Sequence, residues 1–221
     1  MNDASDNMND ANMNDALDKL RSVIDEGGVA KRLDLHDARL GQADLSRLKG
    51  DFLNFAGADL NGADLREAHL MDCDFPSASL READFTRATL WQCKFTRADA
   101  RGSLFKGAHA ENNFWGDADF TDADFSGSRL SETSFSKSVL RRARFDGSHG
   151  SNVRFRDADL AGSSLVGASF DGAKFDGADL TGANLSQGDF RHADFTGAKL
   201  EGVSWDEALL EGARFDEGAA P

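Results

Sequence analysis

Proline and cysteine are nearly absent from this 221-residue chain, with two of each, and tyrosine is missing altogether. Apart from Pro76, the body of the chain therefore contains no residue that lacks a backbone donor or forbids a regular hydrogen-bond ladder. Two cysteines, Cys73 and Cys93, cannot build a disulfide framework, and with no histidine pair beside them they form no zinc pattern. No stretch approaches the length of a membrane-spanning helix. The start lacks the basic region followed by an apolar run that marks a signal peptide, so the cytoplasm is the expected compartment. The five histidines, His36, His69, His109, His149 and His192, never fall at metal-ligand spacing, and no Gly-rich phosphate loop or paired nucleophile accompanies them. A noncatalytic protein without metal or cofactor is expected. Positive charge is also scarce: 25 Lys and Arg face 39 Asp and Glu, a formal net charge of −14, which disfavours direct binding to nucleic acid.

What the chain has is a period of five. Every fifth residue from Leu35 to Phe215 falls in one register, and 33 of these 37 positions are Leu, Phe or Trp. The position two before each is Ala in 22 of the 37 units and otherwise mostly Ser, Cys, Thr or Val, so each unit sends one large and one small residue inward. A period of five matches neither the 3.6 of an amphipathic helix nor the 2 of a half-buried strand. Uninterrupted self-similarity signals a solenoid, in which each unit buries its apolar residues only against its neighbours.

The units Ala58-Asp59-Leu60-Asn61-Gly62 and Ala178-Asp179-Leu180-Thr181-Gly182 show the pattern Ala-(Asp/Asn)-Leu-x-x. Over roughly residues 33 to 217 the chain resembles the pentapeptide-repeat family. That resemblance implies an all-β fold, a right-handed quadrilateral β-helix with four pentapeptides to a coil. Residues twenty apart then stack at about the 4.8 Å strand spacing, and about nine coils give a rod roughly 45 Å long.

Stacking by twenty sorts the core into four columns. One is an aromatic ladder through Phe55, Phe75, Phe95, Trp115, Phe135, Phe155, Phe175 and Phe195, which should pack by offset rings. The column opposite runs through Leu45, Phe85, Phe105, Phe125 and Trp205, and a third is mainly leucine. The fourth holds three exceptions to the large residue: Gly50, Ala110 and Gly150. Ala110 is expected to make room for Trp115, and Leu48 and Leu53 to fill what Gly50 leaves open. Gly150 has no comparable compensator in sequence, and a local dent or widened turn is expected there. Asn113, at a small inward position, must find hydrogen-bond partners if buried. Cys73 and Cys93 should stack in adjacent coils. Their spacing allows a disulfide but suits two buried free thiols better.

The ends differ from the body. Residues 1–14 repeat Asn7-Met8-Asn9-Asp10-Ala11 as Asn12-Met13-Asn14-Asp15-Ala16 and should form a disordered tail. Residues 15–28 should form a capping helix, with Asp15 as its N-cap, Leu17, Leu20 and Ile24 on one face and Gly27-Gly28 ending it. Such a helix would cover the first coil of the repeat region, residues 31–217. Residues 218–221 form a short tail, with no room for a second capping helix. Trp205, Leu209, Leu210 and Phe215 are therefore expected to form the end of a two-fold homodimer, as the resemblance also implies.

Charge is uneven. It sums to −5 over residues 1–30, zero over 31–110 and −9 over 111–221. Asp59, Asp99, Asp119, Asp159 and Asp179 fall in one outward row, and Asp124 joins Asp44, Asp64 and Asp84 in the next. Local hydrogen bonding within turns accounts for any single aspartate. Together they suit an acidic face that imitates a nucleic-acid backbone, and the resemblance implies a partner for it, since family members occupy the DNA-binding saddle of DNA gyrase or topoisomerase IV. A noncatalytic scaffold rod is the first reading and such a mimic the alternative. Trp91, Leu104, Phe114 and Phe52 are candidate apolar contacts for a protein partner.

Overall fold

A computed structural model describes residues 17–221. Residues 17–25 are helical and form α1; the tail 1–14 and the proposed cap Asp15 lie outside the described residues. α1 buries Leu20 completely and packs Leu17, Val23 and Ile24 against the core. It ends where Gly27 adopts a φ of 64° and the N–H of Gly28 donates to the carbonyl of Val23 at 2.9 Å. Only glycine takes that left-handed conformation without strain.

Everything after α1 is parallel β structure with a coil of twenty residues. Five short strands, β1 (Ala30–Lys31), β2 (Lys49–Asp51), β3 (His69–Met71), β4 (Thr89–Trp91) and β5 (His109–Glu111), form one parallel sheet in sequence order. Their register pairs each residue with the one twenty further on, as Leu70 with Leu90. The other rows pair by single parallel bridges in the same register, such as Asp59 with Ser79 and Asp159 with Asp179.

The backbone closes its hydrogen bonds twice over. Between coils, Phe55 N–H donates to Asp74 at 2.7 Å and Asp74 N–H to Leu53 at 2.9 Å. Within most corners, the N–H three residues past a column residue returns to that residue's carbonyl, as Ala58 to Phe55 at 3.0 Å. No segment therefore depends on a long strand, which explains how strands of two or three residues persist.

The corners after Gly50, Leu70, Leu90 and Ala110 have no such return bond among the described residues. Their carbonyls instead accept from side chains one coil later: Cys73 Sγ to Gly50 at 3.5 Å, Cys93 Sγ to Leu70 at 3.5 Å, Asn113 Nδ2 to Leu90 at 3.1 Å, and Thr133 Oγ1 to Ala110 at 2.7 Å. Asn113 Oδ1 also accepts from Cys93 N–H at 2.8 Å, so this fully buried amide uses both ends. These corners are the ones at which β2 to β5 lengthen to three residues. Cys73 and Cys93 are free buried thiols, and burial pushes the Cys93 thiol well above its ordinary range.

The core is a continuous ring stack. Phe55 and Phe75 lie 4.7 Å apart at 7°, Phe175 and Phe195 4.9 Å apart at 3°, and the two opposite columns meet edge to face across the core, as Phe75 with Phe85 at 84°. Trp115 interrupts the parallel stack and touches Phe95, Phe105, Phe120, Phe125 and Phe135. Both Ala100 and Ala110 are fully buried in its coil, so two truncated columns, rather than Ala110 alone, admit the indole. Its Nε1 has no hydrogen-bond partner.

Leu53 fills the gap at Gly50, where an added Cβ would meet Leu53 Cδ1 at 2.4 Å. Of the dent or widened turn expected at Gly150, no dent forms, but the corner opens: no hydrogen bond from the Val153 N–H returns to the Gly150 carbonyl among the described residues. A Cβ there would lie 2.7 Å from the Ser131 nitrogen, 2.8 Å from the Leu130 carbonyl carbon and 3.1 Å from Val153 Cγ2. The backbone closes onto the coil below, and Val153 compensates as Leu53 does, three residues after the glycine.

Candidate interaction surfaces

The outward aspartates are built into the turns. In the repeat, the residue before the column residue points outward, and its carboxylate reaches forward to the N–H two residues on. Asp59 Oδ1 accepts from Asn61 at 3.0 Å, Asp119 from Thr121 at 2.9 Å, Asp124 from Ser126 at 2.9 Å, Asp159 from Ala161 at 3.2 Å and Asp179 from Thr181 at 3.0 Å. Asn54 and Asn184 make the same bond without a charge, which shows that the turn needs the acceptor rather than the anion.

Most of these carboxylates also hold a cation. Asp99 pairs with Arg81 at 2.6 Å and Arg101 at 2.7 Å, Asp159 with Arg141 at 2.6 Å, Asp179 with Lys199 at 2.8 Å and Asp124 with Lys106 at 3.2 Å; Asp119 lies 3.7 Å from Arg101. Arg101, followed by Arg81, holds the Asp99 carboxyl down at about 2 against desolvation. Lys199 and the Thr181 hydroxyl hold Asp179 at about 2. The predicted acidic face is thus a row of carboxylates with their charges largely compensated. Glu201, Asp206, Glu207, Glu211 and Glu217, around the last coil, have no ion-pair partner within the described chain.

Exposed apolar side chains gather elsewhere. Phe52, Met71 and Trp91 sit on one corner in three successive coils, and Phe114 follows on the adjoining row, 54% exposed. Phe52 adopts a φ of 57° and lies under the Arg32 guanidinium, 4.9 Å from its ring centroid. A bulky residue in the left-handed region costs local strain. Leu104 is only half-buried in the row of Asp84 and Asp124 and lies away from this edge. In the last coil Trp205, Leu210 and Phe215 are half-buried and Leu209 is exposed.

One arrangement escaped the sequence reading. Arg47, Glu67 and Arg87 occupy the same corner in three successive coils, and Glu67 bridges both guanidiniums, at 3.3 Å from Arg47. With Ser46, Arg66 and Thr86 they line a shallow groove. The signal was available as opposite charges spaced by twenty residues.

Among the described residues no group of His, Cys, Asp and Glu is arranged to hold a metal ion, and no helix is long and apolar enough to cross a membrane.

The profile described as "Pentapeptide repeats" matches this chain in eight copies, over residues 54–92, 83–112, 117–149, 151–187 and 189–218. The chain belongs to the pentapeptide-repeat family. No curated protein matches this repeat protein. Among solved structures, a trypsin-treated variant of QnrB1, described as a plasmid-mediated fluoroquinolone resistance protein, is 22% identical with a TM-score of 0.55, over 86% of this chain and 93% of that one. HetL of Nostoc sp. strain PCC 7120, described as involved in heterocyst differentiation regulation, is 25% identical over 91% and 97%, with a TM-score of 0.33. A pentapeptide-repeat protein of the Arabidopsis thaliana thylakoid lumen is 33% identical over 44% and 65%, also at 0.33. At these values the first likeness speaks to the fold.

Proposed function

We propose that this pentapeptide-repeat protein is a noncatalytic protein-binding rod of the cytoplasm, a right-handed quadrilateral β-helix that presents one apolar edge to a partner. The observation that carries this reading is the alignment of Phe52, Met71, Trp91 and Phe114 on one edge while the outward carboxylates elsewhere serve their own turns. Large exposed aromatics are the residues that anchor interfaces, and Phe52 is held there in a left-handed backbone conformation. The test is site-specific photo-crosslinking in lysate, with a photoreactive residue at position 91 or 114 and a control at 179. A discrete adduct from the edge positions alone supports the reading; identical patterns from all three positions would refute it.

A second reading, mimicry of DNA toward DNA gyrase or topoisomerase IV, draws on the carboxylates around the last coil that make no ion pair, among which Glu207 accepts only from the neutral Gln187 amide, and on the likeness in fold to QnrB1. A supercoiling assay with a gyrase poison decides it, comparing the parent with Glu201→Lys, Glu207→Lys and Glu211→Lys combined and with Asp99→Lys, Asp119→Lys, Asp159→Lys and Asp179→Lys combined. Protection or inhibition lost with the first set favours mimicry by the last coil; gyrase indifferent to the parent removes the reading.

A homodimer through Trp205, Leu209, Leu210 and Phe215 accompanies either reading. The two acidic rims would face each other, so dimerisation should strengthen with salt. Sedimentation of the parent and of Leu210→Asp at low and high salt tests this, and an unchanged mass in the variant argues against that contact.

A further inference from the structure

The groove at Arg47, Arg66 and Arg87 belongs to a stripe whose charge opposes that of the whole molecule. At the corner positions from Ser46 to Gly127 and the outward row from Lys49 to Arg129, six cations stand against one carboxylate; Arg66 and Lys106 are held by Asp64 and Asp124 of the neighbouring row, which leaves an excess of three positive charges on a chain of −14. The side chains of His69, His109 and Arg129 in that row make no hydrogen bond or ion pair within the described chain. The stripe also borders the apolar edge directly. In β3 and β4 the outward residues His69 and Met71, and Thr89 and Trp91, flank the buried Leu70 and Leu90.

The one carboxylate is placed between cations. Arg87 and then Arg47 hold the Glu67 carboxyl below the ordinary range by hydrogen bonding. Arg66 is engaged by Asp64 at 2.9 Å through its Nε, and the Thr86 N–H donates to Asp84 at 2.8 Å, so the groove walls are fixed from the neighbouring row. Arg47 and Arg87 are the exposed arms, and both converge on a single carboxylate. Two guanidiniums gripping one carboxylate is the arrangement by which proteins recognise a carboxylate from outside.

We propose that this groove is a carboxylate subsite for an acidic segment of a protein partner, and that Glu67 occupies it until the partner's own carboxylate displaces it. The proposal rests on the protein-binding reading above, since it assigns the same partner's apolar residues to Met71 and Trp91. Arg87 and Trp91 are four residues apart, so the subsite and the apolar anchor lie at most about 13 Å from each other along the coil. An extended peptide spans that distance in about four residues. Nucleic acid fits less well. Its charge recurs at every unit, and the stripe is flanked by Asp44, Asp64 and Asp84 on one side and by Asp51, Asp72 and Glu111 on the other. A peptide that alternates an acidic residue with apolar ones places charge only where the groove accepts it.

The experiment measures fluorescence anisotropy of the full chain with three probes: a labelled peptide carrying glutamates four positions from leucines, the same peptide with glutamine for glutamate, and a labelled ten-nucleotide oligothymidine. The glutamate peptide should bind, with the glutamine peptide weaker by about tenfold. Glu67→Gln should tighten the glutamate peptide several-fold, because both guanidiniums are released, and glutamine already stands at the equivalent corner positions 42, 92 and 187. Arg47→Gln with Arg87→Gln should weaken it about tenfold at an unchanged melting temperature. A destabilised fold cannot imitate the gain from Glu67→Gln. Equal binding of the two peptides, no gain in Glu67→Gln, tighter binding of oligothymidine, or no peptide binding at all would each overturn the proposal. If Trp91→Ala weakens the peptide while Glu67→Gln changes nothing, the apolar edge stands and the carboxylate subsite falls. If neither changes it, both fall.

Discussion

Replacing Trp115 by phenylalanine tests whether the core conserves volume within each coil. The indole touches five aromatic rings in three coils, and its coil contributes only Ala100 and Ala110 to the two remaining columns. Ala110→Leu alone should overpack this coil and cost about 1–3 kcal/mol. Trp115→Phe alone opens a void beside Ala110, yet it also removes the buried Nε1 donor that has no partner, whose desolvation costs about 1–3 kcal/mol. Its net effect should therefore be small. The double variant fills the void and keeps the relief. Beside Phe105 it sets a leucine and a second phenylalanine, so that Ala100 alone among the column residues of this coil stays small.

The double variant should thus be about as stable as the parent, with a favourable coupling of about 1–3 kcal/mol between the two changes. Urea unfolding followed by far-ultraviolet circular dichroism gives the four corners of the cycle. Because each coil contacts only its neighbours, a central lesion could split the transition, and single transitions of equal steepness must be established first. Strict additivity, with the double variant no better than Ala110→Leu, would falsify the volume argument.

Asp99 and Asp179 make stability sensitive to acid. Their folded values of about 2 lie below the ordinary 3.8, so their contribution is complete above about pH 4 and disappears as pH falls through about 2. After allowance for solvent screening, Asp99→Asn should cost about 1 kcal/mol at pH 7 and almost nothing near pH 2, by urea titration at each pH; a difference independent of pH would contradict the assignment. Asn113→Ala should cost about 2–4 kcal/mol, since it strands both the Cys93 N–H and the Leu90 carbonyl in the core. A loss under about 1 kcal/mol would show that neither bond matters. Lys137, with a φ of 61°, should gain about 1 kcal/mol on replacement by glycine, read as a raised denaturation midpoint.

The repeat made the inward half of each pentapeptide legible, because a residue in a solenoid meets only its copies one coil away and its neighbours within the coil. Even the departures obey that rule. Gly50 is followed by Leu53, Gly150 by Val153 and Ala110 by Asn113, whereas Phe170 and Phe190 are followed by Ala173 and Ala193. The compensator of Gly150 was visible at the same offset as that of Gly50 and was missed because valine looks ordinary beside a glycine. The second truncated column, Ala100, was hidden because it lies fifteen residues before the tryptophan it accommodates.

The outward half was much less legible, for a reason the aspartates make plain. A cation can reach a carboxylate two residues away, as Arg101 reaches Asp99, or eighteen away, as Arg81 does, or twenty away, as Arg142 reaches Asp122. Which of these forms depends on how a long side chain turns at a corner, and periodicity does not specify that. Net charge counted along the chain therefore overstated the acidity offered to a partner: the carboxylates in regular rows serve turns and neighbouring arginines. Binding has to be sought where the regular pattern is broken, at Phe52, Met71, Trp91 and Phe114, which replace polar residues, and at Glu67, whose negative charge stands between two arginines of its own column.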